Sequence, residues 1–580
     1  MTQTSNELPE SPRLSPAARI LWLVLILATL YLCYFHNLGA LGLVGPDEPR
    51  YAWIARDMQE TGDYITPRLY GKPWFEKPPL YYWSAALSFK LFGVSETSAR
   101  FPSAIYALLA TLALAWLALR LYGAETARWL LLLLPTTVGM IGFSHAAATD
   151  MPFASMLSIA MVFAAKLLKL IPPVAAQWLS PTTAGPFRSF ISFTSLTSTS
   201  FFFGLFLGLA TLAKGPAALI LPGGAVLLWA LFTKRWRDAI RCLHPFAIAS
   251  FCLTALPWYL LCASRNPDFF RVFIIEHNFN RFLTPQFQHI QPIWYYIPIA
   301  LLAIFPWIFF HALAKLQFLA NWIQRRPESH SQAFLLAWAG FIFLFFTLAK
   351  SKLPGYILPA VPPLALLMAN AAASTAKNTG GAPRWPLMGT GLGLLIFGVV
   401  LQPQAQRIPS LDYASHAGGL SLLWATAVLG GLAVCVLAAG RRLRIGLFAT
   451  VLTTLLLVAE VEKLLPDFDA VVSARSAGYT AGKIWPEFSL QTAATWQLNR
   501  SYVYQLNYYA HKEILEWTPG QLRPAWLLVG PGRQREAASF GFSCAEFDAT
   551  PAVIPCRDSG SLGGLDGGNA GNKLGDLQPR

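Results

Sequence analysis

The chain has 580 residues, of which 55% are hydrophobic and only 13% charged, and its mean hydropathy is +0.45. That balance excludes a soluble multidomain protein, which at this length would carry far more charged surface. The formal charge of +15 does not signal nucleic-acid binding, because the basic residues mostly sit in short loops between apolar runs, the pattern of membrane orientation.

The first apolar run, Arg19 to His36, is long and lacks a small-residue cleavage site, so it reads as a signal anchor. Further spanning-length runs follow near 101–121, 126–144, 151–170, 199–213, 215–233, 246–264, 293–314, 332–349, 355–373, 386–402, 418–439 and 445–462. With the first run at 19–37, they predict an α-helical polytopic membrane protein with about 13 transmembrane helices. Alternating sides from a cytoplasmic N-terminus puts Arg120, Arg128, Lys166, Lys169, Lys234, Arg235, Arg237, Arg325, Arg326, Arg441, Arg442 and Arg444 inside. The short outer loops carry few basic residues apart from Lys350 and Lys352, so the positive-inside rule is obeyed.

Two outer segments are longer than connectors. In 43–99, Tyr51, Ile54, Ala55 and Met58 recur at helical spacing with Arg56, Asp57 and Glu60 opposite, and an apolar-aromatic stretch runs from Leu80 to Phe92. Both predict amphipathic helices lying in the membrane interface. The tail after Lys463 divides into a small external α/β domain over 464–558, with strands at Tyr502–Leu506 and Ala525–Val529, and a Gly-rich disordered segment over 559–580. Residues 1–463 form the transmembrane domain, and no internal repeat is evident. Cys33, Cys252, Cys262 and Cys435 fall in apolar spans as small buried residues. Cys544 and Cys556 fall in the outer tail, where an oxidising compartment allows a disulfide, with two free thiols as the alternative.

Polar residues of functional type concentrate on the outer face. Gly45 to Tyr51, with Asp47, Glu48 and Arg50, follows the first span directly; the plain alternative is that Asp47 caps the next helix and Glu48 meets its dipole. Trp74 to Pro79, with Glu76 and Lys77, reads alone as an interfacial anchor of rings beside a snorkelling lysine. Together with Thr61 to Leu69 these motifs resemble the first periplasmic loop of the bacterial ArnT-like glycosyltransferases, in the protein O-mannosyltransferase-related group with the GT-C fold. Further matches follow in order at Thr149 to Pro152, Lys214 to Pro216, Glu276 to Asn278, Arg281–Phe282 and Ser351 to Tyr356. The resemblance covers most of the membrane region.

What the resemblance implies is an inverting transferase in the bacterial inner membrane, with its active site facing the periplasm. It would take a sugar, first among them 4-amino-4-deoxy-L-arabinose, from undecaprenyl phosphate to lipid A or another periplasmic acceptor. The leaving group is a phosphate monoester, which needs cations more than a strong general acid. Lys77 and Arg50 are then the phosphate clamps, with Lys214, Lys352, Tyr356 and Arg281 on the same face. Asp47 acts as base toward an acceptor or stabilises the oxocarbenium-like centre, and Glu48 is its acidic neighbour. Asp150 is either a second acidic participant or the cap of the fourth span. A divalent ion, zinc by ligand type, is expected near Glu76, with His277 and His416 as partners or else as solvated loop histidines. Glu276 and Arg281 are expected to form an ion pair. The competing readings are a protein O-mannosyltransferase-like enzyme and a lipid-linked sugar flippase; a flippase should show mid-membrane charges and repeats, which are not seen. The other partners are membrane lipids, nucleic acid is not one, and the chain is expected to be a monomer.

Overall fold

A computed structural model describes residues 15–171, 185–280, 283, 290–326, 328–377, 381–405, 413–475, 477–546 and 552–562. The chain divides into two compact units, Met1–Leu43 with Asp47–Asp467, and Val44–Pro46 with Phe468–Arg580.

The first unit is helical. Helix α1 (Pro16–Tyr34) starts where Ser15 accepts from the Ala18 N–H and Pro16 supplies a preset backbone angle. Two shorter helices, α2 (Asp47–Thr61) and α3 (Leu80–Phe92), occupy the two predicted interfacial stretches, joined by the hairpin β1 (Arg68–Leu69) and β2 (Lys72–Pro73). Then come α4 (Glu96–Tyr122), α5 (Ala124–Leu133), α6 (Val138–Ser144), α7 (Asp150–Leu167), α8 (Gly185–Lys214), α9 (Ala217–Thr233), α10 (Trp236–Ala239) and α11 (Pro245–Arg265). A π-helical turn, Arg271–Asn280, leads to the later helices, which end with Leu443–Val472.

Every predicted apolar run falls on a helix or a bent helix pair. Among the described residues, 9 helices are long and apolar enough to cross a membrane, or up to 11 if each bent pair is one span. The pairs are α5 with α6, bent by 60°, and Tyr296–Ala303 with Ile308–Ile323, bent by 102° across a break that holds Pro306. Ala217–Thr233 and Trp385–Val400 are shorter apolar helices, so a count of about 13 requires them to cross as well.

Buried indole rings fill the space between helices, and two of them, Trp307 and Trp229, bond across helices through their N–H groups. Trp307 donates to Thr136 Oγ1 at 3.0 Å, and Trp229 donates to the His330 carbonyl at 3.0 Å. Elsewhere helices approach through small residues: a Cβ at Gly391 would sit 2.8 Å from the Gly431 carbonyl of the next helix. On the last helix the buried Glu462 pairs with His36, and its carbonyl accepts from Asn37 at 2.9 Å, which ties that helix to the end of α1.

The second unit carries a four-stranded sheet of order β3 (Ala493–Trp496), β4 (Trp526–Val529), β6 (Ile554–Asp558), β5 (Phe542–Cys544). Strands β3 and β4 run parallel across the helix Arg500–Ala510, and the remaining pairs are antiparallel. Strand β4 lies on the predicted segment at Ala525–Val529, but Tyr502–Leu506 is helix, not strand. Asn499 caps that helix by accepting from the Ser501 N–H, and Tyr502, Leu506 and Ala510 share one buried face at a spacing of four. The cap and the packed face outweigh the β-preference of Tyr and Val. Cys544 and Cys556 are disulfide-bonded across β5 and β6. Ser559–Leu562 forms a 3₁₀ turn; the rest of the predicted disordered tail, 563–580, lies outside the described residues.

Candidate active site

Arg50 organises the first half of the site. It lies one turn into α2, is almost fully buried, and bridges two carboxylates: it donates to Asp47 from one nitrogen and to Glu76 Oε2 at 2.8 Å from another. Its guanidinium sits against the rings of Trp74 at 5.6 Å and Tyr51 at 5.8 Å. Lys77 Nζ lies 3.5 Å from Glu76 Oε1. The result is a chain of alternating charge, Asp47–Arg50–Glu76–Lys77, with Asp47 half exposed at one end. Tyr51 and Tyr82 back it. Burial, and then the Asp47 and Glu76 charges, push both phenols well above their usual range, so they remain neutral donors. The buried Tyr82 hydroxyl has no hydrogen-bond partner among the described residues.

The second half comes from three other elements. Asp150 is the first residue of α7 and Lys214 the last of α8, and Lys214 Nζ donates to Asp150 Oδ1 at 2.5 Å. The ammonium lies 4.9 Å from the Tyr356 ring centroid. Gly355 allows this approach, since a Cβ there would sit 2.6 Å from Asp150 Oδ1. Asp150 therefore opens its helix but spends its carboxylate on Lys214 rather than on a cap.

A cavity of about 350 Å³ joins the halves, with Lys77, Lys214, His277, Ser351 and Tyr356 on its wall. The rest of the lining is largely apolar, including Ile220, Phe345 and Phe346. Two ammonium groups facing an otherwise greasy pocket suit an anionic head on a hydrocarbon tail. A neighbouring cavity of about 530 Å³ shares His277 and is lined by Trp74, Glu76, Arg265 and Arg271.

Several expected roles change. Glu48 does lie in the first turn of α2, but it has a further part. It is buried and accepts from Arg100 Nε at 3.0 Å, Arg100 Nη2 at 2.7 Å and the Ala147 N–H at 2.6 Å. Arg100 also donates to the carbonyls of Leu38, Leu41 and Gly42. Glu48 thus clamps the start of α2 to α4 and to the loop leading into Asp150. Lys352 is buried and donates to the Ala349 carbonyl at 2.8 Å, and burial lowers its ammonium below the usual range; its neighbour Ser351 lines the cavity instead. Glu276 pairs with Arg271 at 2.5 Å, while Arg281 lies outside the described residues.

Among the described residues the expected metal set is not brought together. Glu76 and His277 share a cavity wall, but both carboxylate oxygens of Glu76 face cations, Arg50 and Lys77. A divalent ion there would meet two like charges. The His416 side chain lies outside the described residues, and among those described no three His, Cys, Asp or Glu residues are grouped to hold a metal. Arg100, Tyr82, Arg265 and Arg271 were not singled out by the sequence, and Ser351 entered only as the first residue of a matched segment. Only Arg100 left a signal there, as a charge beside a long apolar run that must find a partner.

Residues 19–273 match the family model described as dolichyl-phosphate-mannose-protein mannosyltransferase. Over 345 residues the chain is 34% identical to an undecaprenyl phosphate-alpha-4-amino-4-deoxy-L-arabinose arabinosyl transferase of Edwardsiella ictaluri, covering 59% of this chain and 58% of that one. A relative of the same name from Serratia proteamaculans is 32% identical over 352 residues, 60% of this chain and 58% of that one. The chain thus spans less than two thirds of the length of these curated relatives. The crystal structure of ArnT from Cupriavidus metallidurans bound to undecaprenyl phosphate superposes with a TM-score of 0.72 at 21% identity, covering 95% of this chain and 100% of that one. Its apo form superposes equally well, with a TM-score of 0.72 at 22% identity. At that identity the superposition shows a shared fold, and the chemistry is argued from the site.

Proposed function

We propose that this ArnT-like chain is an inverting glycosyltransferase that moves 4-amino-4-deoxy-L-arabinose from undecaprenyl phosphate to a phosphate of lipid A at the periplasmic face of the inner membrane. The observation that carries the reading is the apolar cavity with Lys77 and Lys214 on its wall. A polyprenyl phosphate presents the matching shape and charge. Negative charge on the phosphate grows as the glycosidic bond breaks, so fixed cations favour the transition state over the ground state. The names of the curated relatives and the lipid bound to the Cupriavidus metallidurans protein support the same donor.

Asp47, the half-exposed end of the charge chain, faces the developing positive charge at the anomeric centre or takes a proton from the acceptor. An acceptor phosphate is already anionic, so its part is then mainly electrostatic. Arg50 holds Asp47 and Glu76 in register, and the Asp150–Lys214 pair sets the second ammonium. The adjoining cavity with Arg265 and Arg271 is the place for the acceptor phosphate. No step is assigned to a metal ion.

The family-model match keeps a second acceptor class in view, a protein hydroxyl with a polyprenyl-phosphate sugar as donor. Transfer by purified protein from labelled lipid-linked donor to lipid A, read by mass spectrometry, separates the two. Product on lipid A that disappears in Asp47→Asn and Lys77→Ala supports the proposal. Product only on protein, or none with correctly folded wild type, defeats it.

A further inference from the structure

Helix α9 starts beside Lys214 at the active site and runs 17 residues, about 25 Å, and another of its faces, from Leu219 to Leu227, lines a second cavity that continues past the helix end onto Trp236 and Leu243. This cavity has a volume of about 370 Å³ and is formed between α8, α9, α10 and α11. Its lining is apolar throughout, with Leu207, Val226, Trp236, Ile240, Leu243 and Phe251 among the residues. The segment that closes it has two faces. Trp236, Ala239, Ile240 and Leu243, at helical spacing, line the cavity, yet Trp236, Ile240 and Leu243 remain 43%, 64% and 68% exposed. Between them stand Arg237 and Arg241, after Lys234 and Arg235. Asp238 is the one acid in this stretch, and Arg235, Lys169 and Arg241 all lie within ion-pair distance of it. The segment therefore keeps a strong positive excess. An exposed indole, a basic stripe and an open greasy slot at one level match the headgroup boundary of a bilayer. The Lys/Arg asymmetry assigns this level to the cytoplasmic leaflet.

We propose that this cavity is a binding site for an anionic phospholipid of the cytoplasmic leaflet, with one acyl chain in the slot and its phosphate on Arg237 and Arg241. The volume lies within the range of ligand pockets, and the apolar walls give a chain a dry surface. The charge selects the headgroup. A zwitterionic lipid gains the chain contacts but loses most of the attraction, because its own ammonium competes with the arginines. Basic pockets between transmembrane helices on the cytoplasmic side are recurrent sites of acidic lipid capture. The site is separate from the donor cavity, so polyprenyl phosphate is not its occupant.

The test uses the full-length chain, delipidated in detergent and titrated with phosphatidylglycerol or phosphatidylcholine of identical acyl chains, with bound lipid counted by native mass spectrometry. Wild type should hold phosphatidylglycerol about 30-fold more tightly, roughly fivefold for each arginine near the phosphate. Gly223 lies on the cavity wall, and a Cβ there meets no atom within 4 Å. Gly223→Leu therefore fills the slot without a clash and raises helix propensity, and should abolish retention of either lipid. Arg237→Gln with Arg241→Gln leaves the slot intact and should remove the headgroup preference while chain binding persists. Equal retention of the two lipids by wild type overturns the proposal, as does undiminished phosphatidylglycerol retention in Gly223→Leu. Competition of polyprenyl phosphate for the same site at equal strength overturns the assigned occupant.

Discussion

Asp47 and Glu48 are neighbours of the same chemical type, and the structure gives them opposite sensitivities. Glu48→Gln keeps shape and one acceptor oxygen but removes the charge facing Arg100. Both side chains are at least nine-tenths buried, so the guanidinium is left without a counter-ion in a dry site. Removing one partner of a buried pair typically costs about 3–5 kcal/mol. Three carbonyls still accept from Arg100, which puts the expected loss near the lower end, about 3 kcal/mol. Asp47→Asn differs: its side chain is 46% exposed and Arg50 keeps Glu76, so the stability cost should be about 0–1 kcal/mol. Its transfer rate should nevertheless fall by about 10²–10³, as for loss of one preorganised electrostatic contact. Denaturant unfolding of detergent-solubilised variants, followed by tryptophan fluorescence, measures the first quantity, and transfer to lipid A by the folded fraction measures the second. Replacing both Glu48 and Arg100 with Met should recover much of the lost stability, because no charge is then stranded. The reasoning fails if Glu48→Gln unfolds within about 1 kcal/mol of wild type, or if Asp47→Asn is the less stable of the two.

Other outcomes follow from the same geometry. Lys77→Ala should lower transfer by about 10²–10³, whereas Lys352→Met, away from the cavity wall, should leave turnover of folded protein close to wild type; equal losses would return Lys352 to the phosphate site. Reduction of Cys544–Cys556 should destabilise the second unit by about 2–4 kcal/mol without affecting transfer, and alkylation of both sulfurs without reductant would refute the bond. Treatment with a chelator should leave transfer intact, since Arg50 and Lys77 already hold Glu76; activity lost with a stoichiometric metal and restored by adding it would overturn that reading. A reporter active only outside the cytoplasm should be active after Ser559 and silent after Arg237, and the reverse pattern would invert the topology.

Some of this was legible residue by residue, because it depends on local chemistry. A bilayer allows few structures, so apolar runs of spanning length declare helices wherever they occur. The amphipathic stretches that became α2 and α3 were readable for the same reason, as periodicity is a property of the segment itself. So was the clustering of Asp47, Arg50, Glu76 and Lys77, which lie within thirty-odd residues of one another in the segment after the first apolar helix. Tyr502–Leu506 was misread because its local preference lost to a cap and a packed face that only the folded unit supplies. Whether a charged residue works or only holds the structure together depends on what the fold places opposite it. Glu48 and Arg100 stand 52 residues apart and Asp150 and Lys214 stand 64, separations that neither periodicity nor motif spacing can bridge. Lys352 and Ser351 are adjacent, yet one side chain turns to a carbonyl and the other lines the cavity, a choice of direction made by packing. Composition and periodicity act through nearest neighbours along the chain and mark which segments are apolar enough to cross a membrane; charge pairing acts through space at a few ångströms, and only the tertiary fold decides which charges meet.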